Sequence, residues 1–440
     1  MLLPILIRDP IHGSIKIIYN EERKILDSPY FQRLRHVSQL AGAQLVYPSA
    51  THTRFAHSLG TMHIAGLYAS QLFPDDENRI KIIRLSALLH DIAHGPFSHQ
   101  FDDAVYSKYF KEVKKVKEEI LSGHDYQRIT VLKRLLEENY IDEDTYNGIL
   151  DIWQEKDSIG YAIVQGVMGA DRLDFLLRDS YYSGTQHFGS VPLDRIVNNT
   201  YIKEYNGQKI LCYSYKLIDD LYTALIGRFF MYRNVYFHKA ARSADILIQH
   251  MLEEAANEFN LYEWISDLDK FKYLNEYVVT GLIFAKGSKK LRKLYTRIFY
   301  NRDLLKMVHE FYEPPFGIDL HDLRRDFLKQ YLERKYIIPI QEMLGKDVPI
   351  VPDTLLDLTF FNPTEFTASN VYIYDPKHRI PHSDEDIVTM EFALERLKYL
   401  PFAKGFGIMR LYTEAQHYNE VKKKILEISA SEEKSISTRA

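Results

Sequence analysis

The stretch Leu88-Leu-His-Asp-Ile-Ala-His-Gly-Pro-Phe-Ser-His99 places three histidines and one aspartate within ten residues. A neutral imidazole nitrogen beside a carboxylate oxygen, as in His90-Asp91, suits a borderline divalent metal. His94 is expected one helical turn after His90 and on the same face. A His-Asp pair alone is more simply a helix cap; the density of histidines before and after the Gly95-Pro96 break favours a site. Upstream, Thr51-His-Thr-Arg-Phe-Ala-His-Ser-Leu-Gly60 sets Arg54 and His57 three residues apart. One could ligate a metal while the other reaches an anion bound to it, although such a pair by itself is more often structural. Downstream, Gly169-Ala-Asp-Arg-Leu-Asp-Phe-Leu-Leu-Arg-Asp179 carries Asp171, Asp174 and Arg178 at i, i+3 and i+7. An amphipathic helix with internal ion pairs would read the same way. Together these stretches supply two histidines and two aspartates, enough to fix one metal and leave positions open for water.

The elements that must position these groups are mostly helices. Ile82, Ile83, Leu85, Leu88, Leu89 and Ile92 recur at helical spacing, which predicts a helix over 80–93 that Gly95-Pro96 stops. A second long helix is predicted from Leu217 to about Met251. Ile5 to Tyr19 alternates apolar and polar residues around Pro10 and Gly13, which predicts a short hairpin. Ser107 to Ser122 reads as a solvated helix rich in lysine and glutamate. After Gly345 frequent prolines separate short strands at Val371–Tyr374 and Gly407–Tyr412, with one helix over 383–399 between them. The fold class expected is mainly α: a helical body with an N-terminal β-hairpin and a small α+β C-terminal region. The division expected is 1–345 for the body with its helical extension, 346–428 for the α+β region, and 429–440 for a polar tail that frays.

Composition narrows the class. The net charge of −4 offers no overall basic field, so duplex nucleic acid is not an expected partner. One cysteine, Cys212, excludes an internal disulfide and fits a reducing, cytoplasmic setting. The apolar start meets Arg8 and Asp9 too early for a signal peptide or spanning helix, so no membrane association is expected.

The order His57, His90-Asp91, Asp171 resembles the H…HD…D pattern of the HD superfamily. Asp9-Pro-Ile-His-Gly13, Phe31-Gln-Arg-Leu-Arg35, Gln39-Leu40, Arg54-Phe-Ala-His57, His90 to His99 and Asp171-Arg-Leu-Asp174 follow in the order seen in HD-domain deoxynucleoside triphosphate triphosphohydrolases. The resemblance spans roughly Asp9 to Lys306. It implies that His57, His90, Asp91 and Asp171 hold one divalent metal per site, with iron, manganese, zinc, nickel and magnesium all compatible. His99 would protonate the leaving 5′ oxygen, Asp102 would orient it, and His94 and His124 would complete the polar cluster. Arg54, Arg172 and Arg228 would face phosphate, Gln39 and Leu40 would border the sugar, and Asp179 would accept from the 3′-hydroxyl. Arg228, Tyr232 and Tyr236 recur every four residues, and Tyr236 would crowd a 2′-hydroxyl. Three positions depart from the family pattern: Phe175 replaces a tyrosine, Arg172 a lysine and Phe237 a glutamine.

The resemblance extends to regulation. Asp27, Gln32 and Arg35 resemble residues that read a guanine, and Arg195, Lys216, His238, Lys239, Arg302 and Lys306 align with phosphate-binding positions. A guanine-nucleotide activator and a homo-oligomer, a tetramer, are therefore expected. Plain surface ion pairing is the alternative, and Ile5, Arg8 and Ser214 depart from the regulatory pattern. The expected reaction releases deoxynucleoside and inorganic triphosphate. The rival readings are another HD activity, nucleotidase or phosphodiesterase, and a non-catalytic binder of nucleotides or single-stranded nucleic acid.

Overall fold

A computed structural model describes residues 4–113, 123–311, 325–356, 371–399 and 407–437. The body is helical, with a two-stranded hairpin at the N-terminus and two small sheets toward the C-terminus. Strands Ile5–Asp9 and Gly13–Ile17 pair antiparallel in the register Asp9↔Gly13. Asp9 Oδ1 accepts the amides of Ile11 and His12, each at 2.9 Å, and Gly13 at φ +72° completes the reversal.

Helix Arg54–Leu72 is the axis of the body. Its buried residues lie all round it, so it is covered on every side, chiefly by helices Glu77–Leu89 and Ala170–Tyr182. Two glycines make that crowding possible. A Cβ on Gly60 would lie 1.8 Å from Asp174 Oδ1, and one on Gly66 would lie 2.3 Å from Arg84 Nη1. The buried Arg84 is in turn neutralised by the fully buried Glu22 at 2.6 Å.

Several predicted spans are corrected. The helix expected over 80–93 runs from Glu77 to Leu89, started by the Asp76 side chain accepting from Arg79 N. His90 onward follows tighter turns, with Ile92 N on Leu89 O and His94 N on Asp91 O, so His94 is not on a helical face with His90. The helix expected from Leu217 to Met251 is two helices, Ile218–Met231 and Lys239–Phe259, separated by a wide turn at Tyr232–Tyr236. The second restarts at His238, whose Nδ1 accepts from Ala240 N at 3.3 Å. Over 383–399 only Met390–Arg396 is helical, because Ile387–Thr389 pairs with Tyr372–Tyr374 as a strand. Of the lysine-rich stretch at 107–122, residues 114–122 lie outside the described residues.

Strand pairing crosses the division at residue 345. Gly407–Thr413 is the centre of a sheet flanked by Lys306–Phe311 and Ile350–Leu356, and Tyr372–Tyr374 lies parallel to Gln208–Ser214. Leu328, Leu332, Ile340, Leu411, Val421 and Ile425 form a second core under the first of these sheets. Helix Tyr418–Ser437 continues through the segment expected to fray from Ser429. Among the described residues no helix is long and apolar enough to cross a membrane.

Candidate metal and phosphohydrolase centre

Four predicted ligands meet at the junction of three elements. His57 stands on the axial helix, His90 and Asp91 just past the end of Glu77–Leu89, and Asp171 in the first turn of Ala170–Tyr182. His57 Nε2 lies 3.0 Å from Asp171 Oδ1, 3.3 Å from His90 Nε2 and 3.6 Å from Asp91 Oδ2. His90 Nε2 lies 3.3 Å from Asp91 Oδ1 and 3.5 Å from Asp171 Oδ1. The two imidazole orientations are set from behind. His57 Nδ1 donates to Asp174 Oδ2 at 2.8 Å and His90 Nδ1 donates to the Ala87 carbonyl at 2.7 Å. With both Nδ1 protons placed outward, the two Nε2 lone pairs face each other and two carboxylates. That arrangement repels itself unless a cation lies among the four groups, so the donor set fits a divalent metal.

The titration of the site tells the same story. Burial opposes charge on His57, yet the hydrogen bonds to Asp171 and Asp174 raise it to about 10, so the cluster draws in positive charge. Burial also opposes ionisation of Asp91, but Arg54, His90 and His94 hold it well below the usual carboxylate range.

Asp174 is the hub of the second layer. It is completely buried, and its Oδ1 receives His12 Nε2 at 2.6 Å and Arg178 Nη2 at 3.0 Å. Its Oδ2 receives Arg178 Nε at 2.8 Å besides His57. Arg178 also reaches back to Asp9 at 2.8 Å, so the N-terminal hairpin buttresses the metal ligands. Sequence spacing alone gives His12 and Asp174 no role at the site.

A second cluster adjoins the first. Asp102 Oδ2 lies 3.0 Å from His124 Nδ1 and 3.3 Å from both His94 Nδ1 and His99 Nδ1, and its Oδ1 is buried without a partner among the described residues. Asp102 begins a wide turn, closed by Ser107 N on Asp102 O. His94 bridges the clusters through Asp91 Oδ1 at 3.3 Å and stacks on His124 with ring centres 3.9 Å apart. Burial, then Arg54 and His124, lower His94 to about 4, which keeps it neutral. His124 is raised despite its burial, by Asp102 and Asp125. The His99 side chain is 65% exposed and faces the cavity.

Arg54 is held rather than free. Its Nη1 donates to Asp91 at 2.7 Å and its Nε to Ser98 Oγ at 2.9 Å. Ser98, at φ +53° after Phe97 at φ +64°, donates in turn to the Ser38 carbonyl. Two consecutive non-glycine residues in that region are strained, and the half-buried Glu276 compensates by accepting from Phe97 N and from Ser38 N and Oγ.

The cavity in front of both clusters, about 790 Å³, is also bordered by Gln39, Leu40, Asp179, Arg228, Tyr232 and Tyr236. Tyr236 donates to Asp179 Oδ2 at 2.7 Å, and His52 Nε2 holds Asp179 Oδ1 at 2.7 Å. Phe175 stands edge-on to Tyr236. Arg172, expected to face phosphate, does not border the cavity; it donates to the carbonyls of Gln165 and Gly166.

The residues expected at a regulatory site form separate groups. Arg35 Nε donates to Gln32 Oε1 at 2.8 Å, Gln32 donates to Leu26 O beside Asp27, and Arg35 lies over the Phe55 ring. Arg195 donates to the Lys216 carbonyl at 3.0 Å and pairs with Asp220. Arg302 donates to Leu45 O, two residues from Tyr47, whose ring contacts His238. Lys239 follows His238 at the start of its helix, and Lys306 opens the strand that pairs with Gly407–Thr413.

This fold and this paired site define a helical, metal-dependent phosphohydrolase. The HD-domain model matches residues 54–173. The chain is 32% identical over 408 residues to the uncharacterized protein MJ1154 of Methanocaldococcus jannaschii, covering 87% of this chain and 81% of that one. It is 29% identical to the deoxynucleoside triphosphate triphosphohydrolase SAMHD1 homolog of Dictyostelium discoideum, over 69% of this chain. It is 26% identical to the human SAMHD1 over the same share. It spans 60% and 55% of those two relatives. A solved hypothetical protein from Aquifex aeolicus shares the fold, with a TM-score of 0.72 at 24% identity over 96% of this chain and 100% of that one. The chain belongs to the HD-domain family.

Proposed function

We propose that the protein hydrolyses deoxynucleoside triphosphates to deoxynucleoside and inorganic triphosphate. The observation that carries this reading is one cavity joining the metal quartet, the Asp102 histidine cluster and the Tyr236–Asp179 pair. A divalent ion held by His57, His90, Asp91 and Asp171 would stabilise charge on a phosphoryl oxygen and lower the pKa of water at the site. Asp102 holds the exposed His99 by Nδ1, leaving Nε2 to deliver a proton to the leaving 5′ oxygen. Arg228 offers positive charge to the polyphosphate. The Tyr236 ring and the Asp179 carboxylate form a wall where deoxyribose fits and a 2′-hydroxyl is crowded.

The same reading includes a homotetramer activated by guanine nucleotide. The proximity of Gln32 and Arg35 to the Leu26–Asp27 turn supports it, since a carboxylate and a guanidinium can read the two edges of guanine. The test is to incubate metal-replete protein with each of the four nucleotides, with and without a trace of GTP, and to resolve the phosphate products. Inorganic triphosphate is expected. Orthophosphate or a nucleoside monophosphate would assign a different HD activity, and turnover and assembly indifferent to GTP would remove the regulatory part.

A further inference from the structure

Three residues of the cavity wall, Gln39, Asp179 and Tyr236, trace back to one residue that does not border the cavity, His52. Its backbone carbonyl accepts the Gln39 amide at 3.0 Å. The neighbouring residues continue the pairing, with Ser38 opposite Thr53 and Arg54 N on the Val37 carbonyl at 2.9 Å. Residues 37–39 are thereby laid along 52–54, which carries Gln39 and Leu40 to the cavity wall. The His52 ring reaches 127 residues along the chain, where Nε2 lies 2.7 Å from Asp179 Oδ1. Both side chains of that pair are almost fully buried.

The other oxygen of Asp179 accepts from the Tyr236 hydroxyl at 2.7 Å. A carboxylate only accepts, so His52 Nε2 carries the proton of its contact. Nδ1 is then the bare nitrogen, and it is buried with no hydrogen-bond partner among the described residues. Tyr182 sets the plane of the ring, stacked on it with centres 4.6 Å apart and planes at 16°. With one donor fixed on each oxygen, the carboxylate is held against rotation, and each oxygen keeps a lone pair for a hydroxyl in the cavity. Phe175, edge-on to Tyr236, has no hydroxyl to add. An ion pair made only for stability would act on every substrate alike. A carboxylate aimed into the cavity acts on a substrate that can donate to it.

Resting on the proposed triphosphohydrolase activity, we infer that His52 is a positioning residue for the sugar subsite, aiming the Asp179 carboxylate at the 3′-hydroxyl from behind the wall. The test measures kcat/KM for the deoxynucleoside triphosphates and for their 2′,3′-dideoxy counterparts, which lack that hydroxyl. His52→Leu occupies much of the same space without the donor. It lowers kcat/KM for the deoxynucleotides about tenfold or more, the worth of a hydrogen bond to a charged group, and leaves the dideoxynucleotides within about twofold. Metal content stays at the wild-type level. His52→Gln brings an amide N–H near the Nε2 position and restores most of the preference for the 3′-hydroxyl. Equal losses for both kinds of nucleotide, or an unchanged ratio, overturn the inference while leaving the triphosphohydrolase reading intact. If thermal unfolding shows the leucine variant to be unstable, Tyr182→Leu carries the test. Its preference falls about threefold as the ring loses its stacking partner, and an unchanged preference there also overturns the inference. If the wild-type protein releases triphosphate from none of these nucleotides, the proposed activity falls and the inference falls with it.

Discussion

The two histidine–aspartate clusters lie side by side, joined through His94, yet they are built in opposite ways. In the metal quartet each imidazole has its Nδ1 proton held by a separate acceptor, Asp174 or the Ala87 carbonyl, so the rings are locked with Nε2 facing inward. In the neighbouring cluster three imidazoles share a single oxygen of Asp102, and one of them, His99, is largely exposed. The first arrangement suits holding a fixed charge. The second suits moving a proton, because the shared carboxylate can support positive charge on more than one ring. In the proposed reaction, holding the metal falls to one constellation and moving the proton to the other, and His90-Asp91 and His94 to His99, which sit in one sequence motif, are split between them.

The division can be broken by mutation at either side. His90→Ala combined with Asp91→Ala removes two of four ligands and is expected to abolish both metal content, read by elemental analysis, and turnover. His99→Ala should lower kcat by roughly 10²–10⁴-fold, the range for losing a general acid, while metal content stays at the wild-type level. Loss of metal from this variant would merge the two clusters into one.

A smaller effect sharpens the comparison from behind. Asp174→Asn removes the charge that fixes the His57 ring, and metal affinity should fall about 10–100-fold. Competition with a chromophoric chelator measures it, with circular dichroism confirming the fold. Unchanged affinity would show that the second layer does not set the ligand orientation.

The far wall of the cavity differs from both clusters in its response to pH. Burial is the main cause that raises the Asp245 carboxyl to about 7, against the pull of Arg242. Its folded pKa therefore lies above the ordinary value of 3.8, and protonation favours the folded state. That contribution is complete below 3.8 and is lost as pH rises through about 7. Urea midpoints should fall between about pH 4 and 7, by on the order of 2–4 kcal/mol in stability, and Asp245→Asn should flatten the slope. An unchanged slope in the variant would assign the dependence to another group.

Much of this was legible in the sequence, and the reasons differ by residue. His57, His90, Asp91 and Asp171 belong to three ordered local motifs, so their types and order single them out as candidate ligands before any contact is known. The hairpin followed from alternation around Pro10 and Gly13. By contrast, the partners of His12 and His52 lie 162 and 127 residues away, and no local pattern encodes such pairings. The break at Phe237-His238 was hidden because apolar spacing continues through Val235, Ala241 and Ala244, all buried on both sides of it. Ser98 was missed because its role depends on a strained backbone rather than on residue type. The strand Ile350–Leu356 reads locally as a proline-containing fragment, and only its pairing with Gly407–Thr413 brings it to the cavity wall.

The most direct test of the central claim is hydrolysis in ¹⁸O-labelled water with mass analysis of every product. Attack at the α-phosphorus predicts one labelled oxygen in inorganic triphosphate and none in the deoxynucleoside. Label in orthophosphate, or in a nucleoside monophosphate formed with pyrophosphate as leaving group, would contradict it by showing that a bond other than that to the 5′ oxygen is broken.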